Sequence, residues 1–292
     1  MSEPTGVIHD IGYQRYHGPR LRRRYVLGTL YLHGLRAAFG LGRGAKAKIF
    51  PWLVVTIVGL VAAVVAVIRA HLDEVVMTYV QFADLMSWLV IFFVAVVAPE
   101  LVSRDVHSGV LPLYFSRPLR RSDYVLAKLA ALVTAVWLLL GAPQLLMFVG
   151  AAFTTIDGVA EMWREAGDLA PGLLYAAIWA LVFGSVGLLV ASLTGKRAFA
   201  AASVVAVFLM TAAMVEVLTA LPSQTVQQLA PLASPLSLVK GVGVWAFRKW
   251  LITDPGAQVA TNPYAPLYAL TMVLLVVGCF LLLLARYRKV AS

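Results

Sequence analysis

The sequence predicts an all-α polytopic membrane protein, and three observations lead there. Of the 292 residues, 61% are hydrophobic and only 13% are charged, against roughly a quarter charged in ordinary soluble domains. Apolar runs of about 20 residues, the length that crosses a bilayer as a helix, recur along the chain. The formal charge of +10 is spread over alternate connections between those runs, not over one face or stripe of the kind that binds nucleic acid. Membrane lipid is therefore the expected environment, and no nucleic-acid partner is expected.

Six transmembrane helices are expected, at 51–68, 83–102, 124–153, 171–193, 198–221 and 264–285. They read as helices because unpaired backbone groups are not tolerated in hydrocarbon. The third run is longer than a bilayer needs and is expected to tilt or to extend into water. Residues 1–50 form an N-terminal segment, and 51–292 form one transmembrane domain. The first 50 residues are polar and basic, so the first span is expected to direct insertion.

Lysine and arginine give the orientation. Nineteen fall in residues 1–50, in the connection after the second span with the first turn of the third, in the turn after the fourth, and in the tail. Only Arg69, Arg164, Lys240, Arg248 and Lys249 fall on the other side. Both termini are thus expected in the cytoplasm, with the chain in a bacterial inner membrane. The connection 154–170 carries Asp157, Glu161, Glu165 and Asp168, as suits an outer loop.

Two segments are neither span nor free loop. In 22–50, Tyr25, Leu27, Leu30, Leu32, Leu35 and Phe39 are interleaved with Arg36, Arg43, Lys46 and Lys48. That mixture predicts an amphipathic helix on the cytoplasmic interface, ending in the turn Gly40-Leu41-Gly42-Arg43-Gly44. In 222–263, Trp245, Phe247 and Trp250 stand beside Lys240, Arg248 and Lys249. Aromatic residues and cations together favour the headgroup level, which predicts one or two short membrane-dipping helices between spans five and six.

Several chemistries lack their residues. The glycines at 40–44 and Gly195-Lys196-Arg197 do not have the G-x-x-x-x-G-K-[ST] spacing of a phosphate-cradling loop. Five scattered histidines and one cysteine, Cys279, offer no metal-ligand spacing and no intramolecular disulfide. No catalytic set stands out, so the chain is not expected to be an enzyme or to bind a cofactor or metal.

The most specific message lies in 100–128. Span two ends in Ala98-Pro99-Glu100, and LVSRDVHSGVLPLYFSRPLRRSDYVLAK follows. Glu100 and Arg104 are spaced to pair across one helical turn. Gly109 and Pro112 interrupt the segment. Leu111, Leu113, Tyr114 and Phe115 are apolar residues on the cytoplasmic side and need burial. Ser122 is spaced as an N-cap of span three, Asp123 suits its N-terminus, and Lys128 is placed to reach the interface. Such a segment is too short for a domain but long enough for a short helix offered to a partner.

This pattern, R-D-x-x-S-G-x-L-x-x-x-x-S-R-P-x-x-R-x-D-Y-x-x-x-K from Arg104 to Lys128, resembles that of ABC-2-type transporter permeases, the membrane subunits of bacterial exporters with a separate ATPase. Gly109, Leu111, Ser116, Pro118, Arg121, Tyr124 and Lys128 occupy the places that recur in the family. The six-span layout, the entry helix and the dipping elements before span six are similar too. The resemblance implies a short coupling helix between spans two and three that docks on an ABC ATPase. Its surface would draw on Glu100, Arg104, Asp105, Gly109, Leu111, Leu113, Tyr114, Phe115, Pro118 and Arg121. It also implies two ATPase copies holding ATP and Mg, and a second permease subunit, identical or related.

Within the spans, Glu216 is the notable residue, since an intramembrane carboxylate is costly and marks function by default. With Met210, Met214 and Gln144 it is a candidate for a substrate path. Gln144 also suits an interhelical hydrogen bond. Lys240 is a candidate partner for Glu216. Asp84 is expected at the solvated mouth of span two. Ala180, Gly184, Gly187 and Ala191 suggest close packing of span four. The expected function is ATP-driven export of a hydrophobic or amphipathic substrate. The alternative is an ion- or proton-coupled secondary transporter that uses Glu216.

Overall fold

A computed structural model describes residues 22–42, 44–72, 76–102, 119–154, 159–251 and 262–290. Among the described residues the chain is helical throughout, with no strand. Helix α1 spans Arg23–Ala38 and α2 spans Ala45–Leu72. The turn between them needs glycine at Gly40, where φ is +68° and a Cβ would lie 2.7 Å from the Ala47 carbonyl oxygen.

Helix α3 is short, Tyr79–Leu85. It opens with a capping box: Gln81 N–H donates to Thr78 Oγ1 and Thr78 N–H donates to Gln81 Oε1. Met86 joins it to α4, Ser87–Leu101, at a bend of 55°. The span expected at 83–102 is therefore a broken pair that begins earlier.

Then follow α5 (Arg121–Thr154), α6 (Val159–Ser192) and α7 (Arg197–Thr219). Helix α8 (Gln224–Leu229) runs into a 3-10 turn, Ala230–Ala233. Pro235 starts α9 (Pro235–Ala246), turned by 114° from the preceding pair. A single turn, α10 (Arg248–Leu251), precedes α11 (Ala265–Val290).

Five helices, α2, α5, α6, α7 and α11, are long and apolar enough to cross a bilayer, and seven spans result if each bent pair counts as one. The expected six falls within that range. Where one or two short helices were expected in 222–263, three occur among the described residues, α8, α9 and α10.

Three expectations are corrected. Where an outer loop was expected over 154–170, the chain is helical from Val159 on, and Glu165 is buried within α6. Lys128 is 3% exposed, with its Nζ 5.5 Å from the Tyr124 ring centroid, so it does not reach out to an interface. Helix α5 already begins at Arg121, so Ser122 lies inside it and does not cap it; Asp123 instead accepts the Arg120 backbone N–H at 3.1 Å.

Helix α1 lies against protein. Leu30, Gly34 and Ala38 are buried, a Cβ at Gly34 would sit 2.9 Å from Ala131 Cβ, and Tyr31 donates to Thr134 Oγ1 at 3.1 Å. Its other side exposes Tyr25 and Leu32.

Helices α4, α5 and α6 form the centre, with α1 and α2 along α5 and α7 along α4. In α6 the membrane-length window is 67% buried, against 17% in α11, so the peripheral helices leave wide apolar faces outward. A column of rings at one-turn spacing runs inside α6: Tyr175, Trp179 and Phe183, continuing to Phe208 of α7. Phe247 extends it from Tyr175 towards α10. Edge-on and tilted contacts of this kind add to the burial of the rings.

Candidate functional site

Polar side chains gather at the two ends of the bundle. One end holds Asp123, where α4 and α6 finish and α5 and α7 begin. Asp123 is 2% exposed. Arg23 grips both its oxygens, Nε to Oδ2 at 2.6 Å and Nη2 to Oδ1 at 2.5 Å, tying α1 to α5. Those bonds raise the Arg23 pKa above its usual value. Glu100, at the end of α4, is buried and forms an ion pair with Arg197 at the start of α7. Arg121 donates to the Arg288 carbonyl at 2.8 Å, and Arg286 to the Leu193 carbonyl at 3.2 Å, so α11 is tied to α5 and α6.

The other end is organised around Glu165. Arg69 donates from both terminal nitrogens to its two oxygens at 2.7 Å each. Tyr79 donates to Oε1 at 2.5 Å. One carboxylate thus joins α2, α3 and α6 in a bidentate, charge-assisted contact. Nearby, the Trp250 indole donates to Asp168 at 2.8 Å, while Thr78 and Gln81 donate to the Trp250 and Leu251 carbonyls. Helix α10 is therefore fastened to α3 and α6. Asp84 accepts from Tyr175 at 2.9 Å and lies 3.8 Å from Lys240 of α9. It is partly buried and paired, where free solvation was expected.

The residues expected from the sequence are dispersed. Arg104, Asp105, Gly109, Leu111, Leu113, Tyr114, Phe115 and Pro118 lie outside the described residues, while Glu100 and Arg121 sit at the roots of that segment. Glu100 has Arg197 as an ion-pair partner. Glu216, Met210 and Met214 are exposed on α7. The acid beside Lys240 is Asp84, not Glu216. Gln144 of α5 is fully buried, and none of its side-chain polar atoms has a hydrogen-bond partner among the described residues. It packs on the bare backbone of Gly172, where a Cβ would be 2.8 Å from its oxygen and 2.3 Å from Tyr79 Cβ. Gln144 thus belongs to the interior contact of α5 with α6, whereas the three α7 residues face outward.

Sequence reasoning missed the Glu165 cluster. Glu165 stands in an acidic stretch that suits an outer loop, and its partners are 96 and 86 positions away. The available signal was Arg69, a lone cation closing an apolar run. Among the described residues no three His, Cys, Asp or Glu side chains are grouped to hold a metal ion.

No family model matches the chain, and no curated protein matches it. The class that fold and polar clusters define is a multi-pass helical membrane protein with five to seven candidate spans.

Proposed function

We propose that the chain is the permease subunit of an ATP-driven exporter of the ABC-2 type, acting on a hydrophobic or amphipathic substrate and driven by a separate ATPase. The observation that carries this reading is how the segment with the R-D-x-x-S-G-x-L pattern is rooted. It leaves α4 just after Glu100 and returns just before α5. Glu100 is paired with Arg197 of α7, and Asp123 with Arg23 of α1. A push on the segment therefore reaches α4, α5, α7 and α1 together. In this reading ATP and Mg bind two ATPase copies below the membrane, and their closure moves the coupling segments of two permease subunits. Alternating access follows as a shift between two arrangements of the spans. Both termini face the cytoplasm of a bacterial inner membrane. The exposed face of α7 with Met210, Met214 and Glu216 borders the path, where a carboxylate near the outer end is costly unless water or a partner offsets it.

The test is purification of the chain with its cognate ABC ATPase, followed by transport in liposomes. Leu111→Glu or Phe115→Glu is expected to lose the ATPase or to uncouple hydrolysis from transport. Glu216→Gln is expected to alter transport and leave assembly intact. Transport by the lone chain under an ion gradient would overturn the reading in favour of a secondary transporter.

A further inference from the structure

Helix α3 is built as a separate unit. Its capping box closes on Thr78 and Gln81, and the 55° break at Met86 turns its axis away from that of α4. Polar side chains fasten it to its neighbours. Tyr79 donates to Glu165 of α6, Asp84 accepts from Tyr175 of α6 and lies 3.8 Å from Lys240 of α9, and Thr78 and Gln81 donate to carbonyls of α10. Bonds of this kind at the end of a bundle can be exchanged for bonds to water at small net cost. What opposes release of the helix is apolar burial, since Val80 and Phe82 are fully buried.

Two polar side chains are sealed against this unit. Gln144 is 0% exposed, and Ser87, the first residue past the break, is 1% exposed. Neither has a side-chain hydrogen-bond partner among the described residues. The packing around Gln144 is tight: a Cβ on Gly172 would lie 2.3 Å from Tyr79 Cβ and 2.8 Å from Gln144 Oε1. On that side α3, α5 and α6 meet too closely to hold a bridging water. A sealed polar group without a partner forfeits its hydration and gets nothing in return. The packed arrangement therefore carries a cost that is relieved when α3 stands away from α6 and water reaches both groups.

We propose that α3 is a lid that turns about Met86, and that its opening admits water to Gln144 and Ser87. The closed arrangement is the major one, because opening exposes Val80 and Phe82. The lid needs only the packed helices, so it stands or falls independently of the cargo and the ATPase.

The test is hydrogen–deuterium exchange of the full chain in detergent micelles, which reads local opening segment by segment. In the unaltered chain the amides of 79–85 should exchange together, and about tenfold or more faster than those of 90–98 in α4. One common rate for the two stretches would mean that there is no lid. Gln144→Leu removes the sealed amide and keeps the apolar bulk, so it should slow the exchange of 79–85 by about fivefold. Tyr79→Phe removes a bond made only when the lid is shut, and should speed it by about the same factor. Tyr31→Phe, which removes the bond to Thr134 at the other side of α5, should do neither. Unchanged or faster exchange in Gln144→Leu would show that the amide is already satisfied in the closed form, by an internal water, and would overturn the proposal. Access to the seam is read separately. In a Cys279→Ser background, Gln144→Cys should react with a small charged thiol reagent, and about fivefold faster when Tyr79→Phe is added. A cysteine that stays unreactive in both chains would sink the lid.

Discussion

Glu165 is 6% exposed and has three donors on its two oxygens, from helices that begin or end far apart in sequence. Removing one member of such a set leaves the other charge buried without compensation, whereas replacing both by apolar groups is often neutral. Glu165→Ala should therefore destabilise the fold by about 3 kcal/mol, at the low end for buried pairs because Arg69 keeps some solvent contact. Arg69→Met/Glu165→Leu should recover most of that loss. Unfolding in mixed detergent micelles measures both, and a double variant no better than the single one would show that the ion pair is not what holds α2 to α6. This pair illustrates why the site was only partly legible. An acid and a base each announce themselves in a sequence, but which acid meets which base depends on helix rotation. Lys240 shows the same thing: Glu216 was a reasonable partner by depth, and packing brought Asp84 instead.

At the scale of elements, the small residues of span four were legible as a packing face, and the contacts give the reason. Ala180 and Ala191 are fully buried. A Cβ at Gly184 would lie 3.0 Å from Val133 of α5, and one at Gly187 would lie 2.2 Å from Val94 of α4. Close helix approach of this kind depends on the missing side chain. Gly167, on the same helix, has open space for 4 Å around the point where a Cβ would stand. Gly187→Ala should thus cost about 1–3 kcal/mol through overpacking, while Gly167→Ala should be neutral or stabilise by up to about 1 kcal/mol through helix propensity. The same unfolding assay distinguishes them, and equal shifts would mean that α4 and α6 are not in this register. The bend at Met86 was hidden in the sequence, since no proline or glycine marks it; the capping box at Thr78 and Gln81 starts a separate short helix there.

For the whole molecule, the distribution of Lys and Arg predicts one topology. In a Cys279→Ser background, cysteine at position 108 should react with an impermeant thiol reagent only from the cytoplasmic side, and cysteine at position 157 only from outside. Reversal of either result would invert the layout.

Composition and the length of apolar runs by themselves determined the class: hydrocarbon demands that each span satisfy its own backbone, so runs of sufficient length become helices wherever they occur. Local patterning also indicated a helix within 22–50 and short helices before the last span, though not their number or what α1 packs against. What only the tertiary structure decided was the partnership of the polar groups, the breaks in the bent pairs and the path of α1 against α5. The reason is one of range. Helix formation is settled by neighbours along the chain, whereas Arg69 with Glu165, Glu100 with Arg197, and Arg121 with the end of α11 are brought together by how the helices rotate and pack.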